Sequence, residues 1–207
     1  MLLIGTYLSP FARRVGAALV SRGVQFDHED LNGYADPGRA RELNPVGKVP
    51  VLRLDDGECL IDSAAILDHL DECLPLSLAL LPPGGPERRD VLRLSAIATA
   101  IYERSTICFI EALRPPELRR QEVIDAQQLS IIGGLQALDL GSRPGRAIGR
   151  QPFSLATISA VVAFEYLAIA MPDLPVGTFA TALSDAAAKL WDEDAFAKTR
   201  PLVGAEA

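Results

Sequence analysis

The stretch from Asn44 to Ser63, NPVGKVPVLRLDDGECLIDS, restricts the fold of this chain more than any other part of the sequence. Pro45 and Gly47 exclude a helix at its start, because proline lacks an amide donor and both residues disfavour helical backbone. Two short apolar runs flank Asp55-Asp56-Gly57, a sequence typical of a tight turn. The stretch therefore predicts a loop, a β-hairpin and then a helix. Pro50 cannot donate to a sheet ladder, so we expect the backbone before it to face away from the sheet.

The residues before this stretch alternate between strand and helix patterns. Leu2 to Thr6 has the pattern of a short buried strand. Ser9-Pro10 is a typical helix start, because serine is a favoured N-cap and proline suits the first helical position. The further predicted elements are a helix from Pro10 to Arg22, a strand from Val24 to Glu29, a short helix from Asp36 to Leu43 and a helix from Ser63 to Leu74. With the hairpin they form a βαβαββα unit, whose first two strands must be parallel and joined by a right-handed crossover.

The pattern changes after this unit. The segment from Leu76 to Pro86 is rich in proline and glycine, which predicts a linker between domains. Beyond it the apolar residues recur at helical spacing, and no convincing strand is found. The predicted division is a domain at 1–76, a linker at 77–86 and an all-helical domain at 87–207.

Composition excludes several classes of function. The net charge of −7 disfavours nucleic acid or an anionic membrane as the main partner. Cys59, Cys73 and Cys108 cannot all pair and show no Cys-x-x-Cys spacing, which predicts buried free thiols in a reducing compartment. His28 and His69 are the only histidines and are far apart in sequence, so neither a metal site nor a histidine-centred triad is predicted. The chain opens with no secretory or membrane-spanning pattern, and we expect a cytoplasmic protein.

Four sequence features occur in an order that is shared with a known protein family. They are Ser9-Pro10-Phe11 at the first strand–helix junction, NPVGKVPVL at 44–52, Asp62-Ser63 before a helix, and FSLA at 153–156 where the most apolar helix starts. Together they resemble the glutathione transferase family, and in particular its short bacterial glutathione-transferase-like members, over nearly the whole chain. The resemblance implies an α/β plus all-α fold, with a thioredoxin-like N-terminal domain and an all-helical C-terminal domain.

The resemblance also implies roles for individual residues. Ser9 lies where the family keeps the residue that activates the thiol of glutathione, and Tyr7 is the alternative activator. The implied glutathione-binding residues are Ser9, Phe11, Lys48, Val49, Pro50, Asp62 and Ser63. The Val49–Pro50 peptide is expected to be cis, which would turn the backbone of Val49 toward the ligand. The residues expected to line a second-substrate pocket are Tyr7, Tyr102 and Ser105, whereas Phe109 is expected to pack in the core.

Several of these residues also have a purely structural interpretation. Ser9 can be a plain N-cap, but a hydroxyl has one donor and two acceptor sites, so capping and thiol activation are compatible. Asp62 and Ser63 can simply end a strand and cap a helix. A hydroxyl and an amide at a helix N-terminus also suit a carboxylate, and the preceding acid suits an ammonium group. Lys48 is either a partner of the glycyl carboxylate or a solvated lysine, and Arg13 is expected to be structural or solvated.

Two residues depart from the family pattern. Thr157 stands three residues after Ser154, where most relatives carry Asp, so the reciprocal capping box is expected to be incomplete. Ser9 rather than Cys argues against a thiol-exchange subgroup. The resemblance implies a homodimeric glutathione transferase with glutathione as co-substrate, a small electrophile as second substrate and no covalently bound cofactor. The alternatives are a non-catalytic glutathione-binding or protein-interaction module of the same fold, and a thiol-disulfide reductase.

Overall fold

The structure is a computed structural model that describes residues 1–201, so the end of the predicted 87–207 domain lies outside the described residues. The helices and strands, in chain order, are β1 (Leu2–Ile4), α1 (Pro10–Ser21), β2 (Asp27–Glu29), α2 (Pro37–Leu43), β3 (Val51–Arg53), β4 (Cys59–Ile61), α3 (Ser63–Cys73), α4 (Gly85–Ala112), α5 (Gln121–Ser142), α6 (Leu155–Ala170), α7 (Val176–Phe179), α8 (Thr181–Leu190) and α9 (Asp194–Ala197). Short 3₁₀ turns lie at Leu76–Leu78 and Pro116–Leu118.

The chain forms two compact units whose boundaries differ from the predicted domains. Within the described residues, the first unit is Met1–Leu80 together with 191–201, and the second is Leu81–Leu190. The boundary therefore falls inside the predicted linker at 77–86. The prediction placed the C-terminal segment with the helical domain, whereas the structure places it in the first unit.

The first unit is built on a four-stranded sheet with the strand order β2-β1-β3-β4. β1 pairs with β2 in parallel and with β3 antiparallel, and β3 and β4 form the predicted antiparallel hairpin. Ile4 and Val51, from the two central strands, pack with Leu31 and Ala40 in a buried apolar cluster. The βαβαββα order predicted from the apolar runs and turn residues is confirmed.

The helix α1 begins at its predicted residue and ends one residue early, but it is more deeply buried than its sequence pattern indicates. Arg13 and Arg14, two charged residues that lie off the apolar face of the helical pattern, are only 1% and 2% exposed. α1 packs against both α3 and α9, so more than one face of the helix is covered. Two-sided packing of this kind cannot be read from the apolar period of one helix.

The C-terminal segment is attached to the first unit by local and long-range contacts. Phe196 of α9 is fully buried, and α9 packs against α1. The guanidinium of Arg200 lies 3.7 Å from the ring centroid of Trp191 and donates to the carbonyl of Trp191 across 2.7 Å. A cation over the face of tryptophan is stabilised by the ring quadrupole. The two contacts between Arg200 and Trp191 therefore connect the two ends of this segment.

In the second unit, α4 packs against both α5 and α6. Gly134 and Gly141 lie two turns apart on α5, where an added Cβ would come within 2.9 Å of Ile101 and Leu94 on α4. Their lack of a side chain permits the close approach of the two helices. Asp139, also on α5, accepts hydrogen bonds from the first-turn amides of Ala182 and Leu183, so a carboxylate from another helix caps α8.

The apolar helix α6 begins with the predicted serine cap. The Oγ of Ser154 accepts from the amide of Thr157 across 3.2 Å. Thr157 does not return a bond to the Ser154 amide, which instead donates to the carbonyl of Gln151, so the expected incomplete capping box is confirmed. The Thr157 hydroxyl donates to the same Gln151 carbonyl and accepts from the amide of Gly149. The same hydroxyl oxygen lies 3.0 Å from the Oγ of Ser154, so Thr157 joins the preceding loop to the cap.

Candidate functional site

Ser9 lies on the loop that joins β1 to α1. Its backbone is extended, with φ −76° and ψ 117°, and its Oγ accepts from the amide of Ala12 across 3.5 Å at the start of α1. Its own amide donates to the carbonyl of Thr6, which closes a tight turn. Within residues 1–201 the hydroxyl proton of Ser9 has no acceptor. Ser9 therefore caps the helix and still offers a hydrogen-bond donor at the helix N-terminus.

The loop that carries Lys48 and Val49 is held in shape by Asn44. This asparagine is only 3% exposed, its Nδ2 donates to the carbonyl of Lys48 across 2.8 Å, and its Oδ1 accepts from the amide of Val46 across 3.0 Å. The Val49–Pro50 peptide is cis, as expected. Neither the N–H nor the C=O of Val49 forms a hydrogen bond within the described chain, so both are available to a ligand. The sequence interpretation missed the anchoring role of Asn44, although Asn before Pro-x-Gly is a recognisable turn signal.

The Ser9 loop and the Val49 loop meet at one end of the sheet. A Cβ added to Gly5 would lie 3.0 Å from the Cβ of Val49 and 3.1 Å from the Cβ of Ala12. Gly5 also has φ +144°, a conformation that side-chain-bearing residues rarely adopt. The end of β1, the start of α1 and the cis-proline loop therefore approach one another at a point where only glycine fits.

The N-terminus of α3 is capped differently from the prediction. The cap is Asp62, whose Oδ1 accepts from the amides of Ala64 and Ala65 across 2.8 Å and 3.3 Å. Asp62 has φ +69°, an uncommon conformation for a residue other than glycine, and its side chain is exposed. Ser63 is instead the first helical residue and is buried, and its Oγ accepts from the Nε of Arg14 across 3.1 Å. The carboxylate thus reaches solvent, while the serine hydroxyl is tied to α1.

Comparisons with known proteins place this arrangement in a family. The family model described as "Glutathione S-transferase, N-terminal domain" matches residues 3–77. The uncharacterized GST-like protein YibF of Escherichia coli is 32% identical over 168 residues, which cover 81% of this chain and 82% of YibF. The chain belongs to the glutathione S-transferase family. The family and the transferase class that the sequence predicts are thereby confirmed.

Solved structures of bacterial transferases resemble this family member in fold. The glutathione S-transferase of Methylobacterium radiotolerans, solved with glutathione sulfonate, has a TM-score of 0.90 and 26% identity, and the match covers 100% of this chain and 97% of that one. The enzyme of Methylobacillus flagellatus, solved with glutathione bound, has a TM-score of 0.88 and 28% identity, with 97% and 99% covered. The thioredoxin-like and helical parts expected from the sequence are confirmed.

Tyr7, the alternative activator, has its hydroxyl far along α1 from Ser9 in this transferase. The hydroxyl oxygen lies 2.9 Å from the position that a Cβ would take on Gly16. Gly16 is seven residues beyond Ser9, or about 10 Å along a helix axis at 1.5 Å per residue. Burial, together with the nearby Asp30 carboxylate, raises the pKa of Tyr7 to about 12. Tyr7 is therefore a protonated, half-buried phenol that does not lie beside the Ser9 hydroxyl.

Of the other predicted site residues, two are misplaced. Tyr102 is fully buried and its hydroxyl donates to the carbonyl of Ser159 across 2.5 Å. Ser105 is also fully buried and donates to the carbonyl of Ile101. Both are core residues of the second unit, so the prediction that they line a second-substrate pocket is wrong.

The prediction for Phe109 is also wrong, because its side chain is 41% exposed rather than packed in the core. Helical spacing placed these residues on α4 correctly but did not decide which face is covered.

The remaining positions are simpler. Phe11 is half-buried in the first turn of α1, and Lys48 is exposed. Cys59 and Cys73 are exposed and Cys108 is buried, so the prediction of buried thiols is correct only for Cys108. Within residues 1–201, no group of three or more His, Cys, Asp or Glu side chains is placed to hold a metal ion. No helix in this part of the chain has both the length and the apolar character needed to span a membrane.

Proposed function

We propose that this transferase binds glutathione in its first unit, between the Ser9 loop, the Val49 loop and the N-terminus of α3, and that Ser9 activates the thiol. The observation that carries the proposal is the geometry of Ser9. Its oxygen caps α1 while its proton has no acceptor within residues 1–201, and its loop lies against the cis-proline loop. A thiolate placed there receives a hydroxyl hydrogen bond at the positive end of a helix.

The free energies of the available interactions are sufficient for a single hydroxyl to lower the pKa of the thiol by the required amount. A thiol with the usual pKa of about 8.5 must lose roughly two pKa units to be mostly ionised at neutral pH, which corresponds to about 2.7 kcal/mol. A hydrogen bond to a charged group contributes about 1.5–3 kcal/mol. The N-terminus of α1 adds about 0.3–1 kcal/mol. Together these terms match the required stabilisation.

The other contacts hold the two ends of the tripeptide. The unpaired N–H and C=O of Val49 pair with the cysteinyl unit in the manner of an added β-strand, with Pro50 keeping the peptide cis and Phe11 beside it. The exposed carboxylate of Asp62 pairs with the γ-glutamyl ammonium. The N-terminal amides of α3, beginning with Ser63, bind the γ-glutamyl carboxylate. Lys48 is exposed on the Val49 loop and pairs with the glycyl carboxylate.

The reaction that follows is attack of the thiolate on a small electrophile. A new carbon–sulfur bond forms, and either a leaving group departs with its electron pair or the adduct takes up a proton. Ser9 donates to the sulfur before the attack and holds no covalent intermediate. Glutathione is thus a co-substrate that is consumed.

We also propose that the protein is a cytoplasmic homodimer. Leu92 on α4 and Leu129 and Leu140 on α5 are large apolar side chains that are exposed in the single chain, and a second copy would cover them. The three cysteines are unpaired within the described residues, which fits a reducing compartment. Light scattering of the purified protein tests the dimer, and Leu129→Glu should shift it toward monomer.

The test of the function combines glutathione titration calorimetry, the ultraviolet absorbance of bound thiolate, and turnover of a generic aryl halide. We expect Ser9→Ala to keep most of the binding and to lose the thiolate signal and turnover. Ser9→Thr, which keeps a hydroxyl and a helix cap, is the matched control. Unchanged thiolate absorbance in Ser9→Ala would refute the mechanism. Binding without turnover in the wild-type protein would instead support a non-catalytic module.

A further inference from the structure

The ring of Tyr7 is enclosed between two elements of the first unit. On one side it stacks on His28 at the end of the sheet, with ring centroids 4.1 Å apart and the planes inclined by only 11°. Its ring carbon Cε1 also lies 2.6 Å from the position that a Cβ would take on Gly16 in α1. The phenol ring of Tyr7 therefore packs against both β2 and α1.

Gly16 has a packing reason to be glycine. It lies in the interior of α1, where glycine is disfavoured relative to alanine. Its φ is not positive, so no backbone conformation requires glycine there. An alanine methyl would overlap Cε1 and the hydroxyl of Tyr7, whose ring is already stacked on His28. The absence of a side chain on Gly16 therefore leaves room for the ring of Tyr7.

His28 connects this stack to the loop that carries Ser9. Its Nε2 lies 2.8 Å from the carbonyl oxygen of Gly5, where β1 ends and the loop begins. The amides of Gly5 and Thr6 donate to the carbonyls of Glu29 and Leu31, each across 2.9 Å. Three hydrogen bonds thus connect the start of the loop to β2 and to Leu31, two residues beyond it. Tyr7, within the loop, is fastened by its ring, and Ser9 follows two residues later.

We infer that Tyr7, His28 and Gly16 act together as positioning residues for Ser9. The packing of the Tyr7 ring, rather than a hydrogen bond from its hydroxyl, holds the loop in place. The inference rests on the proposed role of Ser9. Its physical basis is that a loop of five residues, Gly5 to Ser9, is held at both ends and in the middle. A hydroxyl that must meet a thiolate needs this restriction, because a small displacement of a reacting or stabilising group lowers the rate strongly. The raised pKa of Tyr7 agrees with a phenol that stays protonated and serves as a packing surface.

Three single variants and one double variant test this inference by hydrogen exchange and steady-state kinetics. Tyr7→Leu removes the stack, and we expect the amides of Thr6 and Ser9 to exchange about tenfold faster. We expect its kcat to fall about tenfold while the KM for glutathione stays within about twofold, because Val49 and Asp62 still bind the tripeptide. Tyr7→Phe keeps the ring and should rescue both the amide protection and kcat. Gly16→Ala should reproduce the Tyr7→Leu effects, and combining it with Tyr7→Leu should add nothing further.

The matched control is Gly133→Ala, another helical glycine, whose added Cβ would meet nothing within 4 Å. It should leave exchange at Thr6 and Ser9 unchanged. Loss of kcat in Tyr7→Phe, or wild-type exchange and kcat in Tyr7→Leu or Gly16→Ala, would overturn the inference. If the wild-type protein does not bind glutathione, the proposed function fails, and the exchange rates alone still decide whether Tyr7 and Gly16 hold the loop.

Discussion

The Nε of Arg14 donates to the hydroxyl of Ser63 across 3.1 Å, and both side chains are buried. The bond joins the second turn region of α1, which follows the Ser9 cap, to the first residue of α3. The two helix N-termini that we assign to the thiol and to the γ-glutamyl group are therefore linked through the interior of the first unit. The pair thus lies between the two ends of the glutathione site that we propose.

The first prediction concerns that bond. Ser63→Ala should lower the free energy of unfolding by about 1.5–3 kcal/mol, because the charged, buried guanidinium of Arg14 loses the hydroxyl that accepts its hydrogen bond. Ser63→Thr keeps the hydroxyl and should lose less. Urea unfolding followed by circular dichroism measures both, and equal stability of the two variants would contradict a role for the hydroxyl.

The second prediction separates the capping role of Asp62 from its charge. Asp62→Asn keeps an oxygen cap and a residue that tolerates positive φ, so stability should stay within about 0.5 kcal/mol of wild type. Asp62→Ala loses the cap and should cost about 1–2 kcal/mol. Both variants should weaken glutathione binding in calorimetry. The control is Asp56→Asn, which removes an equal charge from the hairpin turn and should leave glutathione binding unchanged. If it weakens binding as much as Asp62→Asn does, the loss of affinity comes from the net charge of the protein and not from a direct contact of Asp62.

The third prediction uses two adjacent glycines of α5. Gly133→Ala should raise the free energy of unfolding by about 0.5–1 kcal/mol, because alanine favours helix and the added methyl meets open space. Gly134→Ala should lower it by about 1–2 kcal/mol, because its methyl would lie 2.9 Å from Ile101 on α4. Thermal unfolding of the two variants side by side measures the difference. A higher free energy of unfolding in both variants would show that helix propensity outweighs packing here.

The fourth prediction concerns alkaline stability. Tyr7 has an ordinary pKa of 10.0 and a folded-state pKa of about 12, so between these values the unfolded chain releases the proton while the folded chain retains it. Its contribution to stability is therefore complete below pH 10 and declines as the pH rises from 10 toward 12. Tyr7→Phe should show a shallower decline in the free energy of unfolding over the same range. Identical pH profiles for the two proteins would mean that Tyr7 titrates normally in the fold.

Much of the fold and part of the site could be predicted because the signals are local. Ser9 and Ser154 are both helix caps, the turn at Asp55-Asp56-Gly57 joins the two strands of the hairpin, and the Val49–Pro50 peptide is cis. In each case the chemistry acts within a few residues, between a side chain or a ring and the nearest backbone. The sequence by itself therefore determined the order of the strands and helices in the first unit, the two serine caps and the hairpin turn.

Only the tertiary structure decided which faces are covered and which distant residues meet. Arg14 and Ser63 are 49 residues apart in sequence, and no local rule connects them. Tyr102 carries a polar group on a helix face that could have met a substrate, yet α6 covers it and accepts its hydrogen bond. Burial depends on the neighbouring element, which a single helical period does not specify. The position of the Tyr7 ring likewise depends on residues distant in sequence, since it occupies the space left by Gly16 and stacks on His28.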